Sequence, residues 1–170
     1  MVERYPSLPW ILPFVVFMVF LALKDYLLVL GRWEYPVRIA ALVAVLFIFS
    51  RRVLNFRFTT PVASVAIGIA VFGIWIAPDL LIPGYREHWL FQNAILGRLQ
   101  SSIPLDLRSD WMVLVLRCFR AIILVPIIEE LFWRGFLMRW LIATDFRKVP
   151  MGAYAPQAFW LTALLFASEH

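Results

Sequence analysis

Charge is scarce in this chain. Only 16% of its 170 residues are Asp, Glu, Lys or Arg, while 63% are hydrophobic, including 15 Phe and 8 Trp. A soluble domain is closer to half apolar and about a quarter charged, so that class is excluded. What remains is a polytopic helical membrane protein, expected as a single domain over residues 1–170. Cysteine is nearly absent: Cys118 stands alone, which rules out an intrachain disulfide and reads as a small packing residue in an apolar run. Histidine is limited to His88 and His170, and no H-E-x-x-H occurs. No A-x-A-like cleavage site follows the first apolar run, and Glu3 offsets Arg4 before it, so that run reads as a retained helix. Internal repeats and low-complexity stretches are also missing.

The formal charge of +5 is spread through short segments between hydrophobic runs. It therefore reads as orientation charge and contact with lipid headgroups. No nucleic-acid partner is expected; the lipid bilayer is.

The hydrophobic pattern predicts an all-α transmembrane bundle of about five segments. The first runs from Pro9 to Leu30, with Lys24 and Asp25 near its far end. "GRWEYPVR" leads to a shorter one from Val37 to Ser50, then "RRVLNFR" to a third from Pro61 to Ala77. In the third, Ser64/Gly68 and Ala66/Ala70 recur four apart, the spacing that lets helices approach in lipid. Residues 79–110 carry both signs of charge and turn residues, with an amphipathic stretch "HWLFQNAILGRLQ" suited to an interface or a cover. The fourth stretch, Trp111 to Ile142, is too long for one straight span and predicts a break or kink near Pro126. The fifth begins at Gln157. Arg51, Arg52, Arg57, Arg147 and Lys148 place two loops and the N-terminus in the cytoplasm, with Arg32, Arg38, Arg86, Arg98 and Arg108 as counter-evidence.

One of the most apolar stretches, "VPIIEELFWRGFLMRW", contains two adjacent glutamates. Ionisable residues in a membrane span are costly and mark functional sites by default. On a helix Glu130 and Arg134 share a face and can pair, whereas Glu129 sits about 100° around and has Trp133 as its i+4 neighbour. Arg134 can thus satisfy one glutamate and leave the other available. A purely structural alternative is that both glutamates pair with arginines and hold helices in register. "FASEH", Phe166 to His170, then adds a histidine at the end of the next apolar run. A carboxylate and an imidazole around a water form a general-base arrangement.

Together, Glu129-Glu130-x-x-x-Arg134 and Phe166-x-x-x-His170 resemble the first two motifs of the CAAX protease and bacteriocin-processing (Abi) family of intramembrane proteases. The basic, Trp-rich character and long loop are similar to bacterial CAAX-protease-related proteins associated with exosortase systems. The resemblance rests on residues 121–170. It implies an integral membrane protein, expected in a bacterial inner membrane, that hydrolyses a peptide bond in a membrane-associated substrate. It also implies that Glu129 and His170 polarise the attacking water, that Glu130 and Arg134 brace the motif helix, and that Phe166 packs the site. Neither cofactor nor metal is implied. His88 would be a further ligand only if the long loop folded in.

The family's third motif, a histidine followed four residues later by Asn, Asp or a similar residue, does not follow His170. The last run is also short, so the expectation is a C-terminally truncated CAAX-protease-like domain, its motif-bearing part at residues 110–170. Such a piece should be inactive, its parent an enzyme. Non-enzymatic alternatives are an immunity or scaffold protein of the same fold, or a transporter with an intramembrane glutamate, against which no repeated halves are seen. Oligomeric state, substrate and the choice between Glu129 and Glu130 as base are not legible.

Overall fold

The computed structural model describes residues 5–54, 60–85 and 107–169. Among them the chain is helical, with no strand, as the composition predicts: α1 Leu8–Ala22, α2 Lys24–Leu27, α3 Glu34–Val45, α4 Pro61–Leu81, α5 Trp111–Ile142 and α6 Pro156–Glu169. Among the described residues three stretches are long and apolar enough to cross a membrane, Lys24–Ser50, Pro61–Leu81 and Trp111–Ile142; α1 is a shorter apolar helix. The chain divides into two compact units, residues 1–54 with 106–170, and residues 55–105.

In the first unit, local chemistry sets the helix ends. Asp110 caps α5, its carboxylate accepting from the backbone N–H of Met112 at 3.0 Å and of Val113 at 3.4 Å. Gly31, at φ 53° and ψ −131°, breaks Lys24–Ser50 in a conformation that side chains resist, so α3 starts afresh at Glu34. That start falls inside the connection expected from "GRWEYPVR". Glu34 and Arg38 are therefore one turn apart, buried and ion-paired. Arg38 is half of an internal pair and no longer counts as topological evidence.

Pro13 sits inside α1 and has no N–H to offer the carbonyl of Pro9, four residues back. The hydroxyl of Ser50, fully buried, donates to that carbonyl at 2.6 Å. A neighbouring segment thus repairs the gap that the proline opens, as apolar surroundings demand.

Of the break or kink expected near Pro126, a break does not occur. α5 stays helical throughout, with wider π turns at Arg120–Leu124 and Glu130–Leu137. At 1.5 Å per residue, the 32 residues of α5 extend roughly 48 Å, well beyond a hydrocarbon core of about 30 Å.

The core lies where α1, α3 and α5 meet, built from Phe14, Leu42, Leu46, Leu124, Ile128, Leu131 and Trp133. Phe14 stacks on Phe132 (3.9 Å, 2°) and meets Trp133 edge-on at 5.6 Å. Outside this core many Val, Ile, Leu and Trp side chains face outward, the surface of a protein solvated by lipid. The protein is an integral membrane protein.

In the second unit, α4 begins at Pro61 as expected but runs on through Pro78 to Leu81. Its small-residue positions Ser64, Ala66, Gly68 and Ala70 are all exposed. The amphipathic stretch from His88 to Gln100 lies outside the described residues.

Candidate active site

The C-terminal half of α5 carries the first motif. Arg134 Nε lies 3.3 Å from Glu130 Oε1, the pair expected from their spacing. Both side chains are substantially exposed, at 62% and 47%, so this is not a buried strut: it forms part of the wall of a cavity. Glu129 is half-buried on the neighbouring face and has an interaction of its own.

The cavity measures about 540 Å³ and lies between α5 and α6. Glu129, Glu130, Trp133 and Arg134 line it from α5, together with Pro126 and Met138; Phe159, Thr162, Ala163 and Phe166 line it from α6. Four of the five residues singled out from sequence, Glu129, Glu130, Arg134 and Phe166, therefore share one concave site. The fifth, His170, lies outside the described residues. A mainly apolar hollow with a few convergent polar groups is the usual form of a small ligand or peptide site. Carboxylates in such a hollow are in the setting where general-base chemistry is tuned.

Phe166 meets the indole of Trp133 edge-on at 5.7 Å and 86°, which ties the second motif to the first across the cavity. Trp133 is itself held by Phe14 and Phe132, so α1 supports the site from behind.

Two supports carry no motif signature. Gly135, next to Arg134, lets α1 come close: a Cβ there would lie 2.7 Å from Trp10 Cε3 and 2.8 Å from Cζ3. Arg139, buried near the end of α5, reaches the chain that leads to α6. Its Nε donates to the Val149 carbonyl at 2.8 Å, Nη1 to the Gly135 carbonyl at 3.0 Å and Nη2 to the Arg147 carbonyl at 3.4 Å. The same guanidinium lies 5.5 Å from the Trp10 ring and 5.4 Å from that of Phe146. This arginine fixes where the connection returns and hence where α6 enters the bundle. Its partners are backbone carbonyls, and their identity leaves no trace in the sequence.

Among the described residues no group of three or more His, Cys, Asp or Glu side chains stands together to hold a metal. The donor set of Glu129, Glu130 and His170 extends beyond those residues. Cys118 is exposed and away from the cavity lining.

Neither a curated protein nor a solved structure gives a significant match to the chain. Residues 109–170 match a family model described as type II CAAX prenyl endopeptidase Rce1-like. The resemblance to the CAAX protease family thus holds over the segment that builds both walls of the cavity and carries both motifs.

Proposed function

We propose that this protein is an intramembrane endopeptidase that acts without a metal and uses Glu129 as its base. The observation that carries the reading is the convergence of Glu129, Glu130, Arg134 and Phe166 on one cavity, within the segment similar to CAAX endopeptidases. Water held by Glu129, with His170 four residues beyond Phe166 in sequence, attacks the scissile carbonyl carbon while the carboxylate takes its proton. That proton passes to the leaving nitrogen as the C–N bond breaks, and an acid and an amine result. The Glu130–Arg134 pair sets the charge beside the base and orients the wall. The substrate is a peptide held at the membrane by its own anchor. The matching family model is described as a CAAX prenyl endopeptidase, which makes a prenylated peptide the first substrate to try. The location proposed is a bacterial inner membrane with the N-terminus in the cytoplasm.

The test reconstitutes the protein, expressed from its full open reading frame, in liposomes. Two quenched fluorescent peptides are offered, one ending in a farnesylated CAAX sequence and one palmitoylated peptide of mixed sequence. Glu129→Gln and His170→Ala should each abolish cleavage with their melting temperatures intact. Full cleavage by both variants would refute the mechanism, and binding without any cleavage by wild type would favour a scaffold of the same fold.

A further inference from the structure

An arginine within a membrane span is costly and almost always pairs with an acid or a carbonyl. Arg120 does not. It stands half-buried on α5, and among the described residues it makes neither a hydrogen bond nor an ion pair. Its electrostatic neighbours are Arg38, Arg117, Glu34 and Tyr35. The acid among them, Glu34, is already committed to Arg38. Arg38 is buried, with its Nε shut away; no nitrogen of Arg120 is closed off in that way. Arg117, also half-buried, is three residues before Arg120 on the same face of α5 and has an interaction of its own. Around Arg120 the helix turns to lipid, with Phe119, Ile122 and Ile123 all exposed.

The wider balance of charge has the same sign. Where α3 and α5 begin, Arg32, Arg38, Arg117 and Arg120 stand against Glu34 and Asp110. Lys24 and Asp25 add one charge of each sign. Asp110 is occupied: it caps α5 and lies 3.8 Å from Arg32 Nε. Positive charge is therefore left over, and its depth suits a lipid headgroup. Centred in a bilayer, α5 would project about 9 Å beyond each edge of a core of about 30 Å. Arg120 lies about 13 Å along the axis from Trp111, hence about 4–5 Å beneath that edge. From there an arginine snorkels to the phosphates, whose oxygens its planar fork can bind two at a time.

We propose that Arg120, with Arg117 adding positive potential on the same face, binds the phosphodiester of an anionic phospholipid beside the junction of α3 and α5. A zwitterionic lipid brings its own cation to the phosphate, so an uncompensated arginine favours an acidic headgroup. This site is separate from the cavity and does not depend on the endopeptidase reading. It also bears on the motif, because Glu129 follows nine residues later on the same helix. A headgroup held at Arg120 sets that carboxylate about 13 Å further along the helix from the plane of the phosphates.

The experiment melts the full-length protein in maltoside micelles while phosphatidylglycerol, phosphatidylcholine or inorganic phosphate is titrated in. Each variant is read against its own lipid-free melting temperature, and the half-maximal concentration gives the apparent affinity. Phosphatidylglycerol is expected to raise the wild-type melting temperature, while phosphatidylcholine and phosphate leave it nearly unmoved. Arg120→Gln should require about tenfold more phosphatidylglycerol, and Arg120→Lys, which keeps the charge without the fork, should fall between. Arg52→Gln, exposed on the loop after α3, should respond as wild type does. An unaltered response in Arg120→Gln, an equal loss in Arg52→Gln, or equal stabilisation by phosphatidylcholine or by phosphate alone would each overturn the assignment. Should Arg120→Gln not fold, the wild type decides: a phosphatidylglycerol effect that persists undiminished at about 0.5 M salt would overturn it as well.

Discussion

Replacing Gly135 by alanine sets two effects of known sign against each other. In an open helix the change stabilises by about 1 kcal/mol, because alanine is the better helix former. Here the new methyl would lie 2.7 Å from Trp10 Cε3, against an optimal carbon–carbon separation of about 3.5–4.0 Å. The indole has little room to yield: the Arg139 guanidinium lies 5.5 Å from its ring and Phe146 abuts it edge-on at 5.9 Å. Forcing a methylene-sized group into such packing costs about 1–3 kcal/mol. The net expectation is a loss of up to about 2 kcal/mol, or at most on the order of 4–8 °C in melting temperature at this chain length. The assay is thermal unfolding in detergent, repeated with Trp10→Leu and with the double variant. Relief of the overlap predicts that the double variant melts higher than the two single losses sum to, with a coupling above about 0.5 kcal/mol. A Gly135→Ala protein more stable than wild type would refute the reasoning.

Other expectations follow from the same geometry. Arg139→Lys keeps the charge but loses the fork to three carbonyls, and should cost about 2 kcal/mol and expose residues 143–151 to proteolytic nicking, read by limited trypsinolysis. Arg38→Met removes the ion-pair partner of the buried Glu34, a loss of about 3–5 kcal/mol. Glu34→Leu in the same chain should recover most of it, and a double variant no more stable than the single would contradict the pairing. Arg134→Lys should lower stability by less than about 1 kcal/mol, because the pair with Glu130 is largely exposed, yet reduce cleavage markedly. An equal fall in melting temperature would make it a structural pair after all. Ser50→Ala should cost about 1–3 kcal/mol by leaving the Pro9 carbonyl without its donor.

The membrane class and the glutamate motif were legible because a bilayer makes charge conspicuous. In a soluble protein Glu129 and Glu130 would be two acids among many. The α5 bounds were legible too, since Asp110 both ends the polar segment and caps the helix. What local pattern hid was geometry set by distant residues. A proline at position 126 reads as a possible end of the helix, yet α5 continues through it, with a π turn at Arg120–Leu124 just ahead. Glu34 and Arg38 looked like loop charges because the positive φ of one residue, Gly31, decides where α3 begins. Arg139 is a single charged residue in an apolar run. Its importance lies in which carbonyls are near, and that is not written in neighbouring letters.

Ser50 and Pro13 form a pair whose members are useful only together. A proline inside α1 is tolerable while a hydroxyl reaches the Pro9 carbonyl, and that hydroxyl is tolerable in a dry seam while the carbonyl is vacant. If Pro13 drifts to alanine or leucine, the helix reclaims its own bond and the serine becomes a stranded donor. Lineages descended from this sequence should therefore change the two positions in step, with serine or threonine at 50 tracking proline at 13 and alanine or glycine following its loss. Aligned relatives in which the two vary independently would show that the repair is incidental.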